Sequence, residues 1–119
     1  LLPEIDYNGI ALEALAYYEF LPEVMVVIDG IFNRIGQTQE EDGSLGETSS
    51  TARVVAGLCA MGYDPAMIKL QQDAPDLTKA LIDRAEEAAE DGSFTTELLW
   101  ALNGLHYIMQ EEMMLKSSL

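Results

Sequence analysis

The sequence predicts an all-α protein built of helical hairpin repeats, and three observations carry that expectation. Val24, Val27, Ile28, Ile31 and Ile35 recur at helical spacing and form one stripe. Two Asp-Gly-Ser turns, Asp42–Ser44 and Asp91–Ser93, each stand shortly before an apolar helical segment. No run alternates with the period of two that a half-buried strand requires, and the few β-branched runs lie on helical stripes.

Five helices follow in order. The first is expected from about Tyr7 to Tyr18, with Asp6 as its cap and Ile10, Ala11, Leu12, Ala14, Leu15 and Ala16 nearly all round it. The second starts at Pro22, a favoured first-turn residue, and ends near Gly36. Gln37 to Glu47 has no periodicity and reads as a turn stretch. The oxygens of Thr48, Ser49, Ser50 and Thr51 are then available to cap a third helix, roughly Ser50 to Met61. Gly62 stops that helix and Tyr63-Asp64-Pro65 turns the chain, while Met67 to Asp73 reads as a loop or a short helical turn. The fourth helix begins around Pro75-Asp76 and is sided. Leu77, Ala80, Leu81, Arg84, Ala85 and Ala88 fall on one face, with the Arg84 stem laid along apolar surface. Asp76, Lys79, Asp83, Glu86, Glu87 and Glu90 occupy the other. Thr95 or Thr96 caps the fifth helix, which is expected to fray around Met109 to Leu115.

Helices one, three and five are apolar on most sides, and a helix of that kind is expected to be buried all round. Helix four, and partly helix two, are sided. The alternation is what two layers would produce, odd helices inside and even helices outside. Laying the three apolar helices on one another, and the two Asp-Gly-Ser turns likewise, gives a repeat of 42 to 49 residues with two helices per unit.

The chain of 119 residues suits one domain of about two and a half hairpins, with 49% hydrophobic residues to supply a core. Six basic against 21 acidic residues give a formal charge of −15, which would repel DNA, RNA and anionic membrane surfaces and would suit cations or cationic partners. A solvated acidic surface is the plain reading of that charge. The single Cys59 excludes an internal disulfide and a cysteine-rich zinc site. The densest apolar run, Val24–Ile28, falls far short of the ~20 residues of a membrane span. The opening Leu1-Leu2-Pro3, without a start Met or signal peptide, implies an excised segment or a processed product.

Gln39-Glu40-Glu41-Asp42-Gly43-Ser44, then Ser50-Thr51-Ala52 and Gly57-Leu58-Cys59-Ala60-Met61-Gly62-Tyr63-Asp64-Pro65, resemble the prenyltransferase and squalene-cyclase type of repeat. Asp6 to Leu15, and Asp91–Phe94 with Thr96-Glu97, look like neighbouring repeats. The chain is most similar to bacterial cell-surface proteins whose repeats precede a transcobalamin-like domain. The resemblance implies an α/α toroid, with inner and outer rings of helices around a cavity. It also implies an extracellular or cell-surface location. A complete toroid has about a dozen helices, so five make an incomplete ring whose apolar ends invite self-association or further repeats.

Enzymes of that architecture depend on motifs this chain does not carry. The Asp-x-Asp-Asp acid motif of protonating cyclases is absent from these 119 residues. In the zinc site of protein prenyltransferases an Asp stands two before the Cys, whereas Cys59 follows Gly57-Leu58. Cys59 and His106 alone are too few for zinc, which takes three or four ligands. The acidic stretch Glu40 to Glu47 does not have the alternate-oxygen spacing of a calcium loop, and a turn stabilised by Asp42 and Ser44 accounts for it better. No metal or cofactor is expected.

Glu13, Arg53 and Glu97 interrupt apolar helices, and in a toroid they would face the cavity together with Trp100 and Tyr107. A place at a rim, or a pair with a neighbour, is the other reading of each charge. Met109, Met113 and Met114 offer an adaptable surface. The leading expectation is a non-enzymatic module that binds a ligand or a protein partner. A fragment of a terpene-cyclase or prenyltransferase-like enzyme is the alternative, and a structural spacer is the third.

Overall fold

Helix-forming stretches separated by Gly, Pro and Asx turns become five α-helices in the computed structural model, which describes residues 4–118. They are α1 (Glu4–Leu15), α2 (Pro22–Thr38), α3 (Thr48–Ala60), α4 (Leu77–Asp91) and α5 (Thr96–Ser118), with 3₁₀ turns at Ala16–Tyr18 and Pro65–Met67. Among the described residues there is no strand, only one isolated antiparallel bridge between Lys69 and Asp76. The opening Leu1-Leu2-Pro3 lies outside the described residues.

Two helix starts differ from expectation. The first helix begins at Glu4, so Asp6 lies inside it, and Asp6 is buried to 1% exposure rather than set out as a cap. A carboxylate just before an apolar run looks like a cap in one dimension; here it has a cation from another helix to meet. The Thr48-Ser49-Ser50-Thr51 cluster supplies no side-chain cap to α3 either. Thr51 Oγ1 instead donates to Glu47 O at 3.0 Å and accepts from Leu45 N–H at 3.0 Å, fastening the incoming loop. Other ends follow the local chemistry. Pro22 opens α2, Asp76 caps α4 by accepting from Lys79 N–H at 2.8 Å, and Thr95 caps α5 by accepting from Leu98 N–H at 3.2 Å. Far from fraying at Met109, α5 continues as helix to Ser118.

Around α3 the core is assembled. This helix packs along α1 on one side and α5 on the other and also meets α4, while α2 leans on α1. Ala52, Val54, Val55 and Leu58 of α3 are fully buried among Leu12, Ile28, Ile35, Leu77, Leu81 and Leu98. Each such aliphatic side chain contributes about 1.5–3 kcal/mol of transfer free energy. The expectation that helices one and five are buried all round is corrected. Tyr7, Ile10, Leu99, Trp100, Tyr107 and Met109 are exposed, because α1 packs chiefly on α3 with α2 as its other neighbour, and α5 chiefly on α3 with a smaller contact to α4.

Glycine sets how closely the three helices approach. A Cβ on Gly57 would overlap the Gly9 carbonyl oxygen, and one on Gly104 would come within 2.9 Å of Cys59 Cβ. The α1–α3 and α3–α5 crossings therefore run backbone to backbone, or backbone to a small side chain.

The Gln39–Glu47 loop is a clamp. Gln39 is buried and its Nε2 donates to the carbonyls of Gly43 and Ile68, both at 2.9 Å. Gly43 has φ +87°, and a side chain there would strike the Asp76 carbonyl at the start of α4. From the other side Arg84 reaches in, donating to Thr48 Oγ1, Asp42 Oδ2, Ser44 Oγ and the Gly46 carbonyl. Ser44, and then Arg84, hold the Asp42 carboxyl below its usual range. The two Asp-Gly-Ser turns share one local bond, Ser44 N–H to Asp42 Oδ1 and Ser93 N–H to Asp91 Oδ1, each 2.9 Å. Their settings differ. The first is a loop wedged under α4; the second is the exposed C-terminus of α4, with Gly92 left-handed at φ +73°.

Candidate functional site

A groove opens along α3 between α1 and α5. Arg53, Ala56 and Ala60 lie one helical turn apart on one face of α3 and make its floor with Cys59, and two of the four carry only a methyl group. The walls bear larger side chains, Ile10 and Glu13 from α1, and Trp100 and Tyr107 from α5. Two adjoining concavities, of about 230 Å³ and about 560 Å³, share Glu13, Ala56 and Trp100, so they form one continuous depression. Small floor and large walls are the reason it is concave.

All five residues singled out in the sequence line this depression: Glu13, Arg53 and Glu97 towards the start of α5, Trp100 centrally, and Tyr107 further along. Three separate helices bring them together. Arg53 and Glu97 also pair with neighbours, so for them the two readings of an interrupting charge coincide. Arg53 donates to Asp6 Oδ2 and to Glu97 Oε1, both at 3.0 Å, and so ties α1, α3 and α5 with one guanidinium. Glu13 is exposed and has no hydrogen bond or ion pair among the described residues. Ile10, Ala56, Asn103 and Gly104 also line the groove and went unremarked in the sequence; the Arg53/Ala56/Ala60 spacing was the available signal. Asp6 was missed because its partner lies 47 residues away.

Electrostatics at the groove are acidic. The Glu97 carboxyl is held below its usual range, first by its own backbone N–H in the first turn of α5 and then by Arg53. Asp6, Glu97 and Glu13 outnumber Arg53, which leaves negative charge at this end. Cys59 in the floor has its thiol pushed up to about 12, by burial first and by the charge of Asp64 second. With so little thiolate at neutral pH, Cys59 should react with a disulfide reagent on the order of a hundredfold more slowly in the native protein than in denaturant. Comparing the two labelling rates checks this.

His106 does not join Cys59. It lines a separate shallow concavity on α5 with Gln110, Met113 and Met114. Among the described residues no three His, Cys, Asp or Glu side chains are grouped to hold a metal ion. Beyond the groove, Glu112 of α5 has its carboxyl raised by a hydrogen bond to Asp64 and by that residue's charge. A carboxyl raised on folding contributes stability below its unfolded pKa, and that contribution is lost as pH rises through the folded value. The far end of α5 should therefore be cut more readily by protease at pH 7 than at pH 4.5, and Glu112→Gln should flatten the difference. A protease active at both pH values provides the measurement.

Among the described residues no helix is long and apolar enough to cross a membrane. No protein-family model, no curated protein and no solved structure matches the chain.

Proposed function

We propose that this chain is a non-enzymatic binding module, part of an α/α toroid in which α1, α3 and α5 belong to the inner layer and α2 and α4 to the outer. One observation carries the reading: Glu13, Arg53, Glu97, Trp100 and Tyr107, drawn from three helices, converge on one concave face. Trp100 is 66% exposed and Tyr107 60%, an uncommon position for large aromatic rings that nothing covers. Placement at a bacterial cell surface, or in a secreted protein, rests on the likeness of its repeats to those of cell-surface proteins with a transcobalamin-like domain.

The ends of the array support self-association as a second property. Tyr17, Phe20, Val26 and Val27 are exposed at the α1–α2 end, and Met113, Met114 and Leu115 at the α5 end. Large apolar side chains left exposed in this way are a feature of interaction surfaces.

Incubation with corrinoids and with isoprenoid diphosphates tests the reading. Binding without turnover is expected, followed by the emission of Trp100, the only tryptophan in the chain. Release of diphosphate or formation of a hydrocarbon product would replace the proposal with a cyclase-like or prenyltransferase-like enzyme.

A further inference from the structure

We infer that the groove takes a small organic cation, its positive group set between the Glu13 and Glu97 carboxylates and its apolar body against Trp100. The inference rests on the binding reading above and adds the chemical class of the ligand. Three features argue for it independently of one another.

The first is charge. Among the described residues Arg53 is the one cation lining the groove, and it is already paired with Asp6 at 3.0 Å and with Glu97 at 3.0 Å. Its own field is thus cancelled by carboxylates within the protein. Glu13, unpaired on the opposite wall, carries an uncompensated negative charge into the same depression. An anionic ligand would meet Glu13 with no free cation to offset it, whereas a cation finds a partner without breaking an existing pair. The formal charge of −15 raises the local concentration of cations further.

The second is the aromatic wall. Trp100 and Tyr107 stand on one face of α5, seven residues apart, with Asn103 and Gly104 between them. Both rings are more than half exposed. The negative face of an indole attracts a desolvated cation, and tryptophan does so best of the aromatic side chains.

The third is size. The methyl group of Ala56 leaves a depression of about 230 Å³ beside Glu13 and Glu97, which matches a compact head group. The adjoining space of about 560 Å³, with Tyr107 and Asn103, takes the remainder of the molecule.

The test uses the full chain and a pair of probes that differ in charge alone: choline, and its uncharged carbon isostere 3,3-dimethylbutan-1-ol. Emission of Trp100 and its indole N–H resonance are followed at fixed ionic strength. Choline should give a saturable change and should bind about tenfold more tightly than the isostere. Glu13→Gln should weaken choline about fivefold. Glu23→Gln, an exposed change on α2 outside the groove, should leave it as it was. Equal binding of the two probes would overturn the cation inference while leaving the groove as a binding face. Equal weakening by Glu13→Gln and Glu23→Gln would assign the effect to diffuse surface charge and overturn it too. No response to either probe would also overturn it, and the separate screen with corrinoids and isoprenoid diphosphates would then decide whether the binding reading survives.

Discussion

Arg53→Met is expected to lower the stability of the fold by about 3–5 kcal/mol, the range for breaking a buried ion pair by removing one partner. The reason lies with Asp6. Its side chain is 1% exposed, its Oδ2 accepts from Arg53, and its Oδ1 has no hydrogen-bond partner among the described residues. Without the guanidinium a carboxylate would remain in the α1–α3 interface with nothing to offset its desolvation. The exposed pairs elsewhere, such as Lys79 with Asp83, are screened by solvent and contribute little by comparison. Urea unfolding of the wild type, Arg53→Met, Asp6→Leu and the double variant measures the effect. The double variant should be the more stable of the two Arg53→Met proteins, because it no longer buries an unpaired charge. A single-variant loss below 1 kcal/mol would show that Asp6 reaches water and that the three-helix tie is dispensable.

Gly57→Ala has the second largest expected effect, a net loss of ~1–2 kcal/mol. The added methyl group would overlap the Gly9 carbonyl and press on Leu12 Cβ at 3.1 Å, so α1 and α3 must move apart. Overpacking of this kind costs about 1–3 kcal/mol and sometimes more. The better helix propensity of Ala returns about 1 kcal/mol at most, so the clash wins. Thermal unfolding should move down by on the order of 10 °C. Gly36→Ala is the matched control. Gly36 lies in α2 with open space around it, so its substitution should be neutral or mildly stabilising.

These two residues also mark what was legible in the sequence. Periodicity identified the five helices, because each buries at least one stripe of side chains, and Ile28, Ile31 and Ile35 lie buried where the stripe placed them. Local chemistry located Pro22, Asp76, Thr95 and Gly92, since a cap bonds to residues two to four positions away. Asp6 was misplaced for the converse reason. Its energy comes from a cation on another helix, and nothing near it in the chain distinguishes it from a cap. Gly9, Gly57 and Gly104 went unread in the sequence, because what each permits is a close approach to another helix. Glycine inside a helix has a propensity cost and reads as a flaw until the neighbouring backbone is known. The five groove residues were legible as interruptions of apolar helices, whereas the alanine floor was not, because alanine is unremarkable in any helix.

The unequal support of the helices has a consequence for the order in which backbone amides exchange with solvent. α3 is gripped by α1, α4 and α5, so its central amides, from Val54 to Leu58, become accessible only when the whole fold opens. α2 touches chiefly α1, and its first turns bear the exposed Met25, Val26 and Val27. The last turns of α5 are exposed from Met109 to Ser117. Those two ends can melt singly while α3 holds. In native-state deuterium exchange the chain should separate into a slow central helix and two fast extremities. Burying those extremities would slow their exchange towards that of α3, so protection at Val26 and Met113 reads out whether anything has settled on either end.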